Sequence, residues 1–284
     1  MVMQINTNLG ALGVQGSLNK NSMSLSTSME RLSTGLRVNS AKDDAAGLAI
    51  GDRMNSQIRG MTVAIRNAND GISMAQTAES AMGTITDTLQ RMRDLGVQAA
   101  NMGAVGSGDR QKLQLEFKQL GLEIKRIVDN TTFNDKKILA GSMKGANFQV
   151  GAGTATNNQI SITVSNLMSV GGVKAVASAT PGVSIGSTAG SAKIRSAIDS
   201  IDLAIKNVDN FRATLGAVQN RFTTTISNLQ SSVENQSAAK SRIMDADFAA
   251  ETASLSRSQI LQQAGTAMLA QANQSGQGVL SLLR

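Results

Sequence analysis

Residues 58–99 of the chain read IRGMTVAIRNANDGISMAQTAESAMGTITDTLQRMRDLGVQA, the longest regular pattern of apolar side chains in the sequence. Apolar or small side chains recur along it at alternating steps of three and four, with one extra step of three near Ala75. Such spacing aligns them on one face of an α-helix that packs against others. The stripe consists of Ile58, Met61, Ile65, Ala68, Ile72, Ala75, Ala78, Met82, Ile85, Leu89, Met92, Gly96 and Ala99. At about 1.5 Å per residue it predicts a helix roughly 60 Å long, which needs partners along its whole length.

Two further stripes supply those partners. After the glycine-rich segment 103–108, Asp109 is suited to cap a helix, and a helical stripe follows at Leu113, Phe117, Leu120, Ile124 and Ile127. The third stripe is Ile194, Ile198, Ile201, Ile205, Val208, Leu215, Val218, Phe222, Ile226, Leu229 and Val233. Three helices with matching stripes predict an antiparallel bundle.

Residues 140–190 differ in composition, with Gly, Ser, Thr, Ala and Asn predominating. Two short runs, 148–150 and 160–164, alternate apolar and polar side chains and are separated by residues 151–158, so they predict a β-hairpin or small ribbon. The pair Gly171-Gly172 and Pro181 indicate a loop before the third stripe begins. We therefore expect this region to form the tip of the bundle.

Both ends of the chain carry weaker helical patterns. Near the start, Val14, Leu18, Leu25, Met29, Leu32 and Leu36 fit a heptad face that Asn21 and Ser22 interrupt. Near the end there are two rows of seven-residue spacing, which are Leu261, Met268, Ser275 and Leu282, and Gly265, Ala272 and Val279. Two helices with such thin seams bury little area, so we expect the ends to be held loosely until several copies pack together. An ordinary coiled coil between the two ends of one chain explains the spacing equally well.

The composition narrows the possible functions. The 284 residues contain no His, Cys, Trp or Tyr, so there is no imidazole base, no thiolate and none of the usual zinc ligands. The net charge is +7, but Lys and Arg are interspersed with Asp and Glu, and no aromatic side chains are placed to stack on bases. We expect no catalysis, no cofactor, no metal, no specific nucleic acid and no membrane insertion. Residues 1–6 show no secretory signal pattern.

Several long motifs resemble those of bacterial flagellins. Residues 31–50 read RLSTGLRVNSAKDDAAGLAI, which is similar to the N-terminal flagellin signature nearly residue for residue. Further similar segments are RNANDGIS at 66–73, QRMRDL at 90–95, AAKSRIMDADF at 238–248, SQILQQAG at 258–265, LAQAN at 269–273 and VLSLLR at 279–284. The chain is thus identified as a member of that family over roughly residues 4–150 and 190–284, in a minimal form without large outer domains.

The resemblance implies a fold and an assembly. The fold class is mainly α, with a terminal helical coiled-coil pair and an elongated antiparallel helix bundle bearing a small β-hairpin region. Residues 1–44 and 240–284 would form the inner filament core, and residues 45–189 and 190–239, with the hairpin region at about 140–189, the outer layer. The self-assembly residues would be Leu18, Leu25, Met29, Leu32, Leu36, Leu261, Met268, Ala272, Val279 and Leu282.

The resemblance also implies partners. The chain would be an extracellular filament subunit for swimming motility that polymerises with itself. It would be exported by the flagellar type III apparatus with a secretion chaperone, and it would meet hook-associated junction and cap proteins. A vertebrate Toll-like receptor would contact Gln90, Arg91, Met92, Arg93, Asp94, Leu95, Val97 and Glu116. Alternatively, Met92 and Leu95 face the bundle core or a neighbouring subunit.

Two other functions are also compatible with parts of the sequence. Hook-associated junction proteins share parts of both terminal signatures, although residues 262–284 favour the main filament subunit. An enzyme or nucleic-acid-binding protein could use the loop 103–108 to hold a phosphate before a helix. That loop lacks the Lys-Ser/Thr ending of a P-loop, and the absence of His excludes a His-Glu-x-x-His protease site.

Overall fold

The computed structural model describes residues 7–143, 145–177 and 183–282, apart from the side chains of residues 275–282. Within these ranges the helices are α1 (Leu9–Thr34), α2 (Ala45–Ala100), α3 (Ser107–Asn130), α4 (Val173–Ala177), α5 (Ser191–Met244) and α6 (Phe248–Leu282). The strands are β1 (Thr132–Phe133), β2 (Lys136–Lys137), β3 (Ala146–Gln149) and β4 (Gln159–Ile162). This confirms the predicted mainly α fold with a small β-hairpin region.

The chain forms two compact units. Unit 1 contains residues 1–57 and 234–284, and unit 2 contains residues 58–233. Both boundaries fall inside long helices, α2 and α5. The division predicted at residues 44/45 and 239/240 concerns the layers of a filament, and it stays a prediction.

In unit 2, α2 and α5 pack antiparallel along the predicted stripes. Gly71 lies against the buried ring of Phe222, and Gly96 lies against Ile198. Residues later in α2 thus contact residues earlier in α5, so the two helices run in opposite directions. The central stripe of α2, including Met82, Ile85 and Leu89, is fully buried. Small residues bring these helices close together, which compensates for the lack of large aromatic side chains.

Helix α3 packs beside α2, but it begins earlier than the sequence indicated. Its N-cap is Gly106, which makes no side-chain capping hydrogen bond, and Asp109 lies in the first turn. The prediction of Asp109 as N-cap is therefore wrong. A carboxylate in the first turn still interacts favourably with the helix dipole, so the residue type fits its position.

The predicted hairpin is present as strands β3 and β4, which pair antiparallel with Phe148 opposite Ile160. Phe148 meets Phe222 edge to face, with ring centroids 5.8 Å apart and planes at 86°. The Asn67 side chain donates to the Gln149 carbonyl at 3.0 Å. These contacts attach the hairpin to both α2 and α5.

A second, shorter hairpin was not predicted. Strands β1 and β2 are joined by Asn134 and Asp135, which have φ values of 47° and 61°. Asn and Asp adopt left-handed backbone conformations more readily than other non-glycine residues, and two such residues in sequence form the favoured two-residue hairpin turn. Pro181, expected to mark a loop, lies outside the described residues.

Helix α4 packs directly on the backbone of α5 through Gly172. This glycine has φ +90°, and a Cβ atom there would lie 2.6 Å from the Ala204 nitrogen and 2.8 Å from the Ser200 carbonyl oxygen. Only glycine fits both the conformation and the space. The segment after the hairpin is thereby held on the bundle.

Candidate assembly surface

In unit 1, α1 and α6 pack antiparallel through a seam of small side chains. Leu18 points at Gly265, where a Cβ atom would lie 3.1 Å from the leucine Cγ. Leu25 and Leu32 are half-buried in the same seam, and Ser28 and Ser258 are buried. Because the seam contains few large apolar side chains, its burial stabilises the pair only modestly.

Polar contacts cross this seam at several positions along its length. The Asn21 side-chain nitrogen donates to the Ser258 carbonyl at 2.7 Å, and that of Asn8 donates to the Ala272 carbonyl at 2.9 Å. The Ser28 and Ser254 hydroxyls are 3.5 Å apart. Asn21, which interrupts the apolar heptads in the sequence, is thus part of the seam. Polar groups that pair at one alignment favour one register of the two helices.

The two connections of unit 1 are hydrogen-bonded to each other. Leu36 and Asp245 form an antiparallel bridge. The Arg37 amide donates to the Met244 carbonyl at 2.6 Å, and the Ala246 amide donates to the Gly35 carbonyl at 2.9 Å. Helix α1 ends at Gly35, whose φ of 72° closes the helix in a left-handed cap. Leu36 therefore lies beyond the helix, and its predicted place in the helical seam is wrong.

Two acidic side chains organise the turn that leads into α2. The Asp43 carboxylate accepts from the Ser40 hydroxyl and amide, both at 2.9 Å, and from the Asn39 amide at 3.2 Å. The hydrogen bond from the Ser40 hydroxyl is the main cause that holds the pKa of Asp43 below its ordinary value. Asp44 accepts from the Gly47 amide at 2.8 Å and caps the start of α2.

Large apolar side chains on α1 and α6 also face solvent. They are more than half exposed: Leu9, Leu12, Met23, Met29, Phe248, Ile260, Leu261 and Met268. Of the two rows predicted on α6, the Gly265 and Ala272 row lies at the α1 seam, whereas Leu261 and Met268 point away from it. Met29 on α1 is exposed as well, rather than part of the seam. We call these eight residues the exposed apolar rows.

The described residues offer little for other chemistry. No group of three or more Asp or Glu side chains there is arranged to hold a metal ion. Nor does any helix in the described ranges combine the length and the apolar character that a membrane span requires.

Comparison with known proteins agrees with this geometry at both ends. A sequence profile for the bacterial flagellin N-terminal helical region matches residues 5–144, and one for the C-terminal helical region matches residues 198–283. A flagellin of Halalkalibacterium halodurans is 44% identical over 282 residues, which cover 99% of this chain and 100% of the relative. The chain belongs to the bacterial flagellin family. It is accordingly a structural component of the flagellar filament that serves motility.

Other flagellins are longer. Flagellin D of Vibrio anguillarum is 38% identical over an alignment of 377 positions that covers both chains completely. This chain has 284 residues, so the Vibrio protein contains additional segments and the present chain is a short flagellin. The crystal structure of Bacillus cereus flagellin is 27% identical, covering 62% of this chain and 94% of that one, with a TM-score of 0.47.

Six of the eight side chains that the flagellin resemblance assigned to a receptor are exposed on unit 2. These are Gln90, Arg91, Arg93, Asp94, Val97 and Glu116. Met92 and Leu95, by contrast, are 0% and 1% exposed and lie in the bundle core. Neighbouring helices cover both side chains, which agrees with their expected place in the bundle core, and a receptor contact of either one stays a prediction.

The arginines of that segment are already paired within the chain. Arg91 donates through Nε and Nη2 to one Glu116 oxygen at 2.9 and 2.7 Å. Arg93 donates to Asp202 at 2.7 Å, and this hydrogen bond raises the pKa of Arg93 further above its ordinary value. Asp202 on α5 was not among the predicted site residues, because nothing in its local sequence connects it with residue 93.

The remaining predicted assembly residues are placed as follows. Leu18, Leu25, Leu32 and Ala272 are half-buried in the described part of unit 1. The side chains of Val279 and Leu282 lie outside the described residues. Their part in assembly stays a prediction.

Proposed function

We propose that copies of this chain polymerise through the exposed apolar rows of α1 and α6, which become the inner core of the filament. The main support for this proposal is that Leu261 and Met268 are 53% and 60% exposed on α6, a helix with very few charged residues. Several large apolar side chains exposed on the same two helices are typical of a surface that packs against another molecule. Each large side chain that becomes buried between copies contributes about 1.5–3 kcal/mol before the costs of association.

The thin α1–α6 seam supports the same mechanism. A chain that is exported unfolded through the flagellar type III apparatus, with its secretion chaperone, benefits from ends that are easily unpaired. The small side chains of the seam, with Asn21 and Ser28 among them, give little apolar stabilisation within one chain. Neighbouring copies then supply the missing burial. Residues 45–239 form the outer layer in this scheme, and junction and cap proteins meet the ends of the extracellular polymer.

This role requires stiffness and packing rather than catalysis, so we propose that the chain is not an enzyme. The absence of His and Cys from the whole sequence supports this. The mechanical load of the filament then falls on long helices such as α2 and α5. No cofactor is needed.

Electron microscopy of the purified chain after polymerisation tests the assembly mechanism. We expect Leu261→Glu and Met268→Glu to prevent filament growth while far-UV circular dichroism of the monomer stays unchanged, since both side chains are exposed. Leu261→Met, which keeps the site apolar, should still polymerise. Leu115→Glu introduces the same charge at a 58% exposed position of unit 2, and it tells whether any added carboxylate suffices. Normal filaments from both α6 variants would refute the proposal.

We also propose that the five exposed side chains of the 90–97 segment, together with Glu116, form the contact for the vertebrate flagellin-sensing Toll-like receptor. The supporting observation is the Arg91–Glu116 pair, which holds the guanidinium in place at an exposed site. In receptor-reporter cells, Arg91→Ala should reduce the response to monomer, whereas Lys118→Ala, at another exposed cation on α3, should not. Equal responses from Arg91→Ala and the unmodified chain would contradict this assignment.

A further inference from the structure

Methionine is the side chain of this protein most open to mild oxidation. The sequence contains 14 Met and no Cys, Trp, Tyr or His. Peroxides oxidise thioethers to sulfoxides, and this reaction follows the exposure of the sulfur. An oxidant that meets this chain therefore acts on Met before other side chains.

The structure separates the described methionines by exposure into a buried and an exposed group, with Met54 and Met168 half-buried between them. A buried group, each member at most 8% exposed, consists of Met61, Met74, Met82, Met92, Met143 and Met244. An exposed group, each member at least 39% exposed, consists of Met23, Met29, Met102 and Met268. Peroxide in solution reaches the second group while the chain stays folded.

Three of the four exposed methionines belong to the exposed apolar rows. Met268 follows Leu261 by seven residues, which places the two on the same side of α6. Met23 follows Leu12 by eleven residues, close to three full turns of α1. Met102 lies in the loop between α2 and α3 of unit 2 and is the exception.

We propose that Met23, Met29 and Met268 are three separate modification sites on α1 and α6, and that their oxidation by peroxide in the unpolymerised chain blocks assembly. This inference rests on the proposed function of the exposed apolar rows. In each step the thioether sulfur loses two electrons and bonds to one peroxide oxygen, the O–O bond breaks, and the second oxygen leaves as water. The product is a sulfoxide, which is polar and chiral where the interface needs an apolar surface.

Assembly and oxidation thereby oppose each other. A sulfoxide buried between copies leaves a strong acceptor without a donor, which disfavours the polymer. Conversely, burial in the polymer covers the three sulfurs, so a filament resists the oxidant that disables its free subunits. Methionine sulfoxide reductases, using a thiol reductant, restore the thioether and with it the capacity to assemble.

Polymerisation after treatment with hydrogen peroxide tests the proposal, with oxidised positions identified by peptide mass spectrometry. The untreated chain is the first control, because its failure to polymerise would refute the proposed function rather than this inference. We expect treated monomer to carry sulfoxide at positions 23, 29 and 268 and to need a concentration at least about tenfold higher to polymerise. Reduction by methionine sulfoxide reductase with dithiothreitol should reverse the loss.

Two variants locate the effect. The combined variant Met23→Leu, Met29→Leu and Met268→Leu keeps the surface apolar, and the concentration that it needs to polymerise, whatever its value, should be the same before and after peroxide. Met102→Leu should remain as sensitive as the unmodified chain. In preformed filaments, positions 23, 29 and 268 should oxidise at least about tenfold more slowly than in monomer. Unimpaired polymerisation of monomer that carries all three sulfoxides would overturn the proposal, and so would peroxide sensitivity that persists in the triple variant.

Discussion

Replacing Phe222 with Ala should cause one of the largest losses of stability available in unit 2. The ring is fully buried between α2 and the hairpin, and it meets Phe148 edge to face at 5.8 Å. Removing a buried Phe costs about 3–5 kcal/mol, because the apolar contacts are lost and a cavity remains. The aromatic pair contributes about 0.5–1.5 kcal/mol of that loss.

The assay is urea unfolding of the unpolymerised chain followed by far-UV circular dichroism, since the chain has no Trp or Tyr for fluorescence. Phe211→Ala is the matched control, because Phe211 lies on the same helix and is only half-buried. Its loss should be smaller, about 1–2 kcal/mol. A loss below about 1 kcal/mol for Phe222→Ala, or equal losses for both variants, would refute the reasoning about this contact.

The same contact can be tested from the other side. A Cβ atom at Gly71 would lie 2.7 Å from Cζ of Phe222. Gly71→Ala gains about 1 kcal/mol of helix propensity but overpacks the ring by about 1–3 kcal/mol. We expect a net loss that disappears when Phe222→Leu is present as well. Additive effects of the two substitutions would show that they do not share a contact.

Three further outcomes are expected. Asn21→Leu should slow amide hydrogen exchange in α6, because a polar side chain in a helix seam fixes the register at a cost in stability and leucine buries more apolar area there. Faster exchange would show that the hydrogen bond from Asn21 to the Ser258 carbonyl stabilises the pair more than this apolar burial does. The lowered pKa of Asp43 means that its folded-state hydrogen bonds stabilise the chain above the unfolded pKa and cease to do so as the pH falls through the folded value. Thermal unfolding of Asp43→Asn should therefore depend less on pH below about 4 than that of the unmodified chain, and parallel curves would count against it. Gly121→Ala should lower the unfolding midpoint despite its better helix propensity, since its Cβ would lie 2.8 Å from the Val176 carbonyl oxygen; a raised midpoint would show that α4 yields easily.

The bundle was predictable because the helical spacing of apolar side chains repeats over many turns. Apolar side chains recur at nearly every turn from Ile58 to Ala99, so one irregular step near Ala75 does not change the prediction of a long helix. The same stripe already contained Met92, and its burial follows from that spacing. Its assignment to a receptor came from motif resemblance, which identifies a segment but not which side chains of that segment point outward.

The terminal helices were harder to predict in detail. The sequence of α6 contains two rows of equal spacing, and apolar character alone favours Leu261 and Met268 for the seam. In the structure Gly265 lies in the seam instead, because Leu18 packs so close to α6 that only a residue without a side chain leaves enough space. The side chains of α1 determine which row of α6 lies in the seam. The spacing within α6 is the same for both rows and therefore cannot distinguish them. The short hairpin at Asn134 was missed because two-residue strands have no detectable period.

Gly172 has a consequence for how such sequences can diverge. The two atoms that would collide with a new Cβ are a main-chain nitrogen and a main-chain oxygen of α5. No change of side chain elsewhere can make room, since every amino acid presents the same main chain. Any replacement of Gly172 therefore has to move the main chain of α5 or that of the segment leading into α4. An insertion between the hairpin and α5 keeps the bundle unchanged only if it leaves this main-chain contact intact.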